Sequence, residues 1–375
     1  MKVLIITPRY YPNTPGGGAR SIHLIAREIN KRIDVEVYSQ DGAKTITEEV
    51  EGVKITRKHL PSHGKTSMNF RCINDLFRNY ELDLIHSYNM DLMPAAGFLT
   101  KYNNVKSVAT INGTVYSRHS EWYNMYKNSP NLYPKVRGSL FLMRNTFMKH
   151  FIKSINQYSV LCPHRREVFV REGLERERFT VIPNILDTSF EPKELVRDDR
   201  VRVLYVGSLN WLKGLDVLLH AYSLLEKGRI ELMVVGITRE DAPPHTRAVN
   251  PITFMGKLPY SELPDVYARS DIYVNSYRYP EPVSRSVMEA MQTGIPVITT
   301  GTPSYSPIVR DGVDGILVYP CTSNKLAVAI QHLIDNPELR EAMGEAAKVQ
   351  VEEVCNPKRI GDLYLKLYEK TLGNE

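Results

Sequence analysis

The sequence predicts an α/β protein made of two doubly wound, parallel-sheet domains in tandem that face a central cleft. Three observations carry that expectation. Short apolar runs rich in β-branched residues alternate with helix-period segments, the pattern of parallel strands covered by helices on both faces. The pattern stops at EPKELVRDDR, a charged stretch with a proline, and restarts at VRVLYVG. The chain has 375 residues, more than the roughly 100 to 200 of one ordinary domain.

The first domain is expected over residues 1–187. Its strands read KVLIIT, VEVYS, VKITR, DLIHSY, SVATI, YSVLC and TVIP. Between the first two lies a helical segment, 20–32, with Ile22, Ile25, Ala26 and Ile29 on one face. Residues 188–200 read as a surface linker. The second domain, 201–356, runs VRVLYVG, a helix over 213–226, ELMVVG, TFMG, a helix over 261–269, IYVNS, a helix over 284–292, PVITT and GILVY. From residue 324 the chain reads as helical, and 357–375 as a C-terminal helix returning towards the first domain. Folds of this class bind ligands at the carboxyl ends of their strands, which is why the loops there are searched first.

Composition is that of a globular protein, 42% hydrophobic and 24% charged. No segment approaches the ~18 apolar residues of a membrane span, and the opening MKVLIITPRY lacks the features of a secretory leader. A cytoplasmic protein is expected. Cys72, Cys162, Cys321 and Cys355 form no Cys-x-x-Cys pair, so neither a zinc site nor a disulfide framework is signalled. Net charge is +6, and residues 113–156 hold seven basic side chains against the single acid Glu121. That segment interleaves them with Tyr116, Trp122, Tyr123, Tyr126, Phe141 and Phe151, and over 140–155 it reads as an amphipathic helix. An anionic partner, such as a membrane surface or a phosphate-bearing acceptor, would suit it, as would a solvated basic face. It contains no nucleic-acid-binding motif.

The segment EPVSRSVMEAMQTG, 281–294, follows the strand IYVNS directly. A helix starting near Ser284 would aim its free N–H groups and positive dipole end at the mouth of the sheet, where a diphosphate could sit. Glu281 would lie just before that start and Glu289 inside the helix, so one carboxylate could face a sugar ring and the other a ribose. Spacing alone leaves two solvated glutamates and an ordinary N-cap equally open. In VGSLNWLKG, Lys213 is a flexible ammonium able to neutralise phosphate, and in TPGGGAR the glycines let a ligand approach the backbone.

These motifs resemble the retaining glycosyltransferases of family 4, which have the GT-B fold. The residues in register are Glu281, Glu289, Ala290, Met291, Gly294, Pro296 and Val297. The likeness extends to Pro8, Gly16, Gly17, DLIHSY, VIPN with Asp187, VGSLNWLKG and DGVDGILV. It implies that Glu281 contacts donor-sugar hydroxyls, Glu289 the ribose, Lys213 the diphosphate, and Gly16 and Gly17 the donor phosphates and acceptor. Two positions depart from the family. Asn112 stands where relatives usually have His, and Ser208 where they usually have the second phosphate-binding cation, an arginine. Arg285, directly after Ser284, is the residue expected to replace that cation.

The resemblance implies a metal-independent transferase without a cofactor. It would move a hexose-type sugar from a nucleotide diphosphate donor to a glycan or lipid-linked acceptor, with retention, in the cytoplasm or on the inner membrane face. Two alternatives stay open at this level: a sugar-nucleotide epimerase of similar architecture, and a catalytically weak nucleotide-sugar-binding scaffold.

Overall fold

The structure is a computed structural model that describes residues 1–13, 16–58, 82–88, 91–112, 150–209, 211–226, 228–242, 250–278, 284–302 and 307–373. Most of the basic aromatic segment, 113–149, lies outside the described residues, as does Glu281. The chain forms two compact units, Met1–Ile185 with Pro357–Glu375, and Leu186–Asn356.

The first unit holds an eight-stranded sheet in the order β3-β4-β2-β1-β5-β6-β7-β8. The strands are β1 Lys2–Thr7, β2 Asp34–Ser39, β3 Ile46–Val50, β4 Val53–Arg57, β5 Leu84–Tyr88, β6 Lys106–Ile111, β7 Gln157–Val160 and β8 Phe179–Val181. All pairings are parallel except β3 with β4. That pair closes through Glu51 and Gly52, with φ of 49° and 81°, the left-handed conformations of a two-residue hairpin turn. β3 was not expected, because ITEEV alternates weakly and sits on the sheet edge with only partial burial. β1 shows why the inner strands are apolar throughout. Val3 and Ile5 pack on helix α1, Gly17–Asn30, on one face, while Leu4 and Ile6 meet α2, Met93–Asn103, on the other. A third helix, α3, Pro163–Arg171, covers β7 and β8 with Val168 and Phe169.

The C-terminal helix Pro357–Leu372 belongs to this first unit. Its Ile360, Tyr364, Leu367 and Tyr368 enter the core beside Ile22, Ile25 and Ile29 of α1. A polar network fixes its register. His86 of β5 is fully buried, with Nδ1 2.7 Å from the Tyr368 hydroxyl and Nε2 2.7 Å from Thr110 Oγ1. Thr110 in turn meets Ser159 Oγ at 2.5 Å and the Tyr364 hydroxyl at 3.3 Å. Burial lowers the His86 pKa from 6.5 to about 3, so the ring is neutral and can both donate and accept.

The second unit holds six parallel strands in the order β11-β10-β9-β12-β13-β14: β9 Val201–Val206, β10 Ile230–Val235, β11 Ile252–Gly256, β12 Ile272–Asn275, β13 Val297–Thr300 and β14 Gly315–Val318. Val203 and Tyr205 face α4, Leu215–Ser223, and α7, Ser323–Asp335, on one side. Leu204 faces α5, Leu263–Ala268, α6, Arg285–Thr293, and α8, Pro337–Val354, on the other.

The stretch 188–200, expected as a surface linker, is a mostly exposed coil that is held to the second unit at a few points. Phe190 is buried in the second core, Val196 N–H donates to the Ala268 carbonyl at 2.7 Å, and Arg197 pairs with Asp271 at 2.5 Å. Its charges therefore serve as anchors along the second unit. Among the described residues no helix is long and apolar enough to cross a membrane.

Candidate active site

Strand order places the site. In the second unit β9 has β10 and β11 on one side and β12 to β14 on the other, so the chain leaves β9 and β12 in opposite directions along the sheet. The loops after these two strands then flank a crevice, the usual ligand position in such sheets. After β9 come Gly207 and the exposed Ser208, then the short 3-10 turn Trp211–Lys213 and Gly214 in the left-handed conformation, φ 64°. After β12 come Ser276, Tyr277 and Arg278.

The two loops are locked together. Ser276 Oγ donates to the Gly214 carbonyl at 2.9 Å, and Arg278 N–H donates to the Leu212 carbonyl at 3.0 Å. Arg278 stacks on Trp211, 4.7 Å from the ring centre. Lys213 lies with its ammonium 3.8 Å from the centre of the Tyr277 ring and hydrogen-bonded to the Tyr277 hydroxyl. A cation on an aromatic face is held in place without losing its charge.

From Tyr277 a chain of contacts leads to the start of α6. Tyr277 N–H donates to Asn275 Oδ1 at 3.4 Å, and Asn275 Nδ2 donates to Ser284 Oγ at 3.4 Å. Ser284 is the N-cap residue in extended conformation, yet its side chain makes no cap bond and instead meets Ser286 Oγ at 3.1 Å. The side chain therefore leaves the opening amides of α6 available to another acceptor.

Glu289 lies deeper in the same helix, 6% exposed. The Tyr260 hydroxyl donates to its Oε1 at 3.1 Å and the Tyr267 hydroxyl to its Oε2 at 3.0 Å. Burial raises the Glu289 pKa, against the charge of Arg285 and the two tyrosine hydrogen bonds, which lower it. Arg285 is not the solvent-facing residue a helix start would suggest. Its Nη2 pairs with Asp187 Oδ2 at 2.8 Å, and its side chain also reaches the Tyr260 hydroxyl. Asp187 is steadied by Ser189, whose N–H and hydroxyl donate to Oδ1 at 3.0 and 2.7 Å.

In the first unit the corresponding loops follow β1 and β6. Gly16, φ 130°, is the N-cap of α1, and Gly17 is its exposed first residue. A Cβ on Gly18 would stand 3.7 Å from Asn112 Nδ2, and Asn112 Oδ1 is buried and has no hydrogen-bond partner among the described residues. Gly16, Gly17 and Asn112 thus lie at the start of α1, and Ser284, Arg285 and Glu289 at and within the start of α6, with Lys213 linked to that start through Tyr277 and Asn275.

Two family models cover most of the chain. Residues 15–190 match the model described as Glycosyltransferase Family 4, and residues 187–350 match Glycosyl transferases group 1. The chain belongs to the family 4 glycosyltransferases. Spore coat protein SA of Bacillus subtilis is 26% identical over 182 residues, which is 45% of this chain and 48% of that protein; the aligned stretch spans less than half of that relative. Among solved structures, sucrose-phosphate synthase from Thermosynechococcus elongatus superposes with a TM-score of 0.81 at 17% identity over 100% of both chains. Anabaena HepE in complex with UDP-glucose superposes with a TM-score of 0.75 at 17% identity, covering 98% of this chain and 100% of that one. These likenesses show the two-domain GT-B fold.

Several residues of this candidate site have no signal in the sequence. Tyr277 is 64 positions from Lys213, and Tyr260 and Tyr267 are 29 and 22 positions from Glu289. Each is an ordinary core or loop tyrosine until the sheet order brings it to its partner. The Arg285–Asp187 pair spans 98 positions; only its two halves, each within a motif, were visible.

Proposed function

We propose that this glycosyltransferase moves a hexose-type sugar from a nucleotide diphosphate donor, a UDP- or GDP-sugar, to a glycan or lipid-linked acceptor, with retention and without a catalytic metal. The observation that carries the reading is the connected set Lys213, Tyr277, Asn275 and Ser284 at the switch point of the second unit. It links the loop that carries a cation to a helix start whose cap side chain makes no cap bond, and in this reading both serve a diphosphate that no metal neutralises. That HepE was captured with UDP-glucose makes a UDP-sugar the first donor to try.

In this reading Glu289 accepts ribose hydroxyls, Glu281 orients the sugar, and Ser208 leaves a place that a cation fills in relatives. Arg285 adds charge from its seat on Asp187. Gly16, Gly17 and Asn112 serve the acceptor side. The bond from the anomeric carbon to the leaving phosphate breaks as the acceptor oxygen bonds to that carbon on the same face. The acceptor proton passes to a phosphate oxygen, and the developing charge on the ring is stabilised electrostatically.

Thermal unfolding with UDP-, GDP- and ADP-sugars tests this. One donor at 100 times its Kd should stabilise the second unit by about 2.7 kcal/mol, and transfer with that donor should persist in EDTA. Absence of stabilisation by every donor, or transfer that stops in EDTA and returns with magnesium or manganese, overturns the corresponding part.

We also infer that the basic aromatic segment 113–156 brings the enzyme to an anionic membrane at the inner face, where a lipid-linked acceptor would lie. Each basic side chain near such a surface contributes about 1 kcal/mol and is screened by salt. Sedimentation with vesicles should therefore rise with anionic lipid and fall with ionic strength; indifference to both removes the reading.

A further inference from the structure

Each carboxylate oxygen of Glu289 accepts one tyrosine hydroxyl and keeps a second lone pair, but the side chain is only 6% exposed, so a ribose reaches it by displacing a ring that covers it. The two tyrosines are not equivalent. Tyr267 is 0% exposed, has Phe190 edge-on at 5.6 Å, and its hydroxyl also lies 3.2 Å from the Ser286 carbonyl. Moving it would open the core of the unit. Tyr260 is 41% exposed and stands on the short 3-10 turn Tyr260–Glu262. Its ring lies 6.2 Å from that of Phe190 and is far less enclosed than the ring of Tyr267.

We propose that Tyr260 is an internal competitor for the donor: its hydroxyl occupies the ribose position on Glu289 in the free protein and leaves when a ribonucleotide binds. The inference rests on the reading of Glu289 as the ribose acceptor.

A buried carboxylate is stabilised by each donor it accepts, so the empty site gains from a second hydroxyl on Glu289 beside that of Tyr267. Tyr260 supplies one. Ribose then replaces one neutral hydroxyl by another, and most of that contact cancels in the measured affinity. The same exchange runs backwards on release, where Tyr260 returns to Glu289 as the nucleoside diphosphate leaves. Tyr260 thereby holds down affinity for donor and product alike and favours turnover over retention of the spent nucleotide.

The test is titration of the full chain with UDP, GDP and ADP, and with 2′,3′-dideoxy-UDP, -GDP or -ADP to match whichever binds. Tyr260→Phe should bind the ribonucleotide about fivefold or more tightly, since a hydrogen bond to a charged group no longer has to be given up. Affinity for the dideoxy compound, which has no hydroxyl to replace that of tyrosine, should stay at the parent value. Tyr260→Leu should show the same split. Either variant binding both compounds more tightly, or the ribonucleotide no more tightly, overturns the competitor role. Glu289→Ala separates this from failure of the site itself. It should weaken ribonucleotide binding about tenfold or more. If it does not, although the parent binds, the ribose assignment and the competitor role fall together.

Discussion

Gly214→Ala is expected to destabilise the second unit by about 3 kcal/mol or more and to abolish measurable donor binding. Gly214 has φ 64°, and a Cβ placed on it would stand 2.0 Å from the Ser276 carbonyl oxygen. Left-handed backbone costs a non-glycine residue roughly 1 to 2 kcal/mol, and forcing packed backbone apart typically adds about 1 to 3. The second cost falls on the contact that fixes the site, since Gly214 and Ser276 join the loop bearing Lys213 to the loop bearing Tyr277. Gly312→Ala provides the control. Gly312 has φ 74° but no atom within 4 Å of its would-be Cβ, so it carries the backbone penalty alone. Thermal unfolding should show Gly214→Ala below Gly312→Ala by several degrees, at roughly 2 to 4 °C per kcal/mol for a unit of this size. Donor titration should show binding lost only in the former. Equal behaviour of the two variants would mean that the loops reseat freely and that their close approach does not shape the site.

How far the sequence foretells this arrangement depends on the range of the interactions. The parallel strands were legible because burial on both faces leaves an apolar run, as in KVLIIT and VRVLYV, where both side-chain sets enter cores. The Ser284 helix was legible because strand, loop and motif are contiguous. β3 was not, since an edge strand needs no apolar face; its only local signal was the Glu51-Gly52 turn. The anchoring of the stretch 188–200 was not legible for a related reason. Lys193 and Arg197 are met by Asp265, Ser270 and Asp271, more than 70 positions away, and a charge whose partner is distant reads like a charge in water. The same limit hid the hydroxyls on Glu289. Motif resemblance assigned that carboxylate a ligand, whereas the fold shows what holds it before any ligand arrives.

The first unit should lose stability as pH falls from about 6.5, and His86 should account for about one proton of that loss. Its folded pKa is depressed to about 3 from 6.5 by burial among β5, β6 and the C-terminal helix. For a group with a depressed folded pKa, the contribution is complete above the unfolded value and disappears as pH drops towards the folded one, because the unfolded chain then binds a proton that the folded chain refuses. At about 1.4 kcal/mol per pH unit, the loss between pH 6.5 and pH 4 comes to roughly 3 kcal/mol. His23 and His164 are also depressed by burial, so the slope of the parent protein mixes several protons. His86→Gln isolates one: glutamine keeps a donor and an acceptor for Tyr368 and Thr110 but does not titrate. Two units need not unfold together, so the reporter must belong to the first alone. Amide exchange of Lys2–Thr7, the strand paired with β5, meets that condition, and because the substitution does not adjoin those amides, comparing parent with variant at each pH cancels the intrinsic exchange rate. The variant should be the less stable near pH 7.5, through imperfect packing, and the gap should close or reverse by pH 4. A gap that stays constant across that range would place the acid sensitivity elsewhere and leave His86 as a purely structural bridge between the sheet and the returning helix.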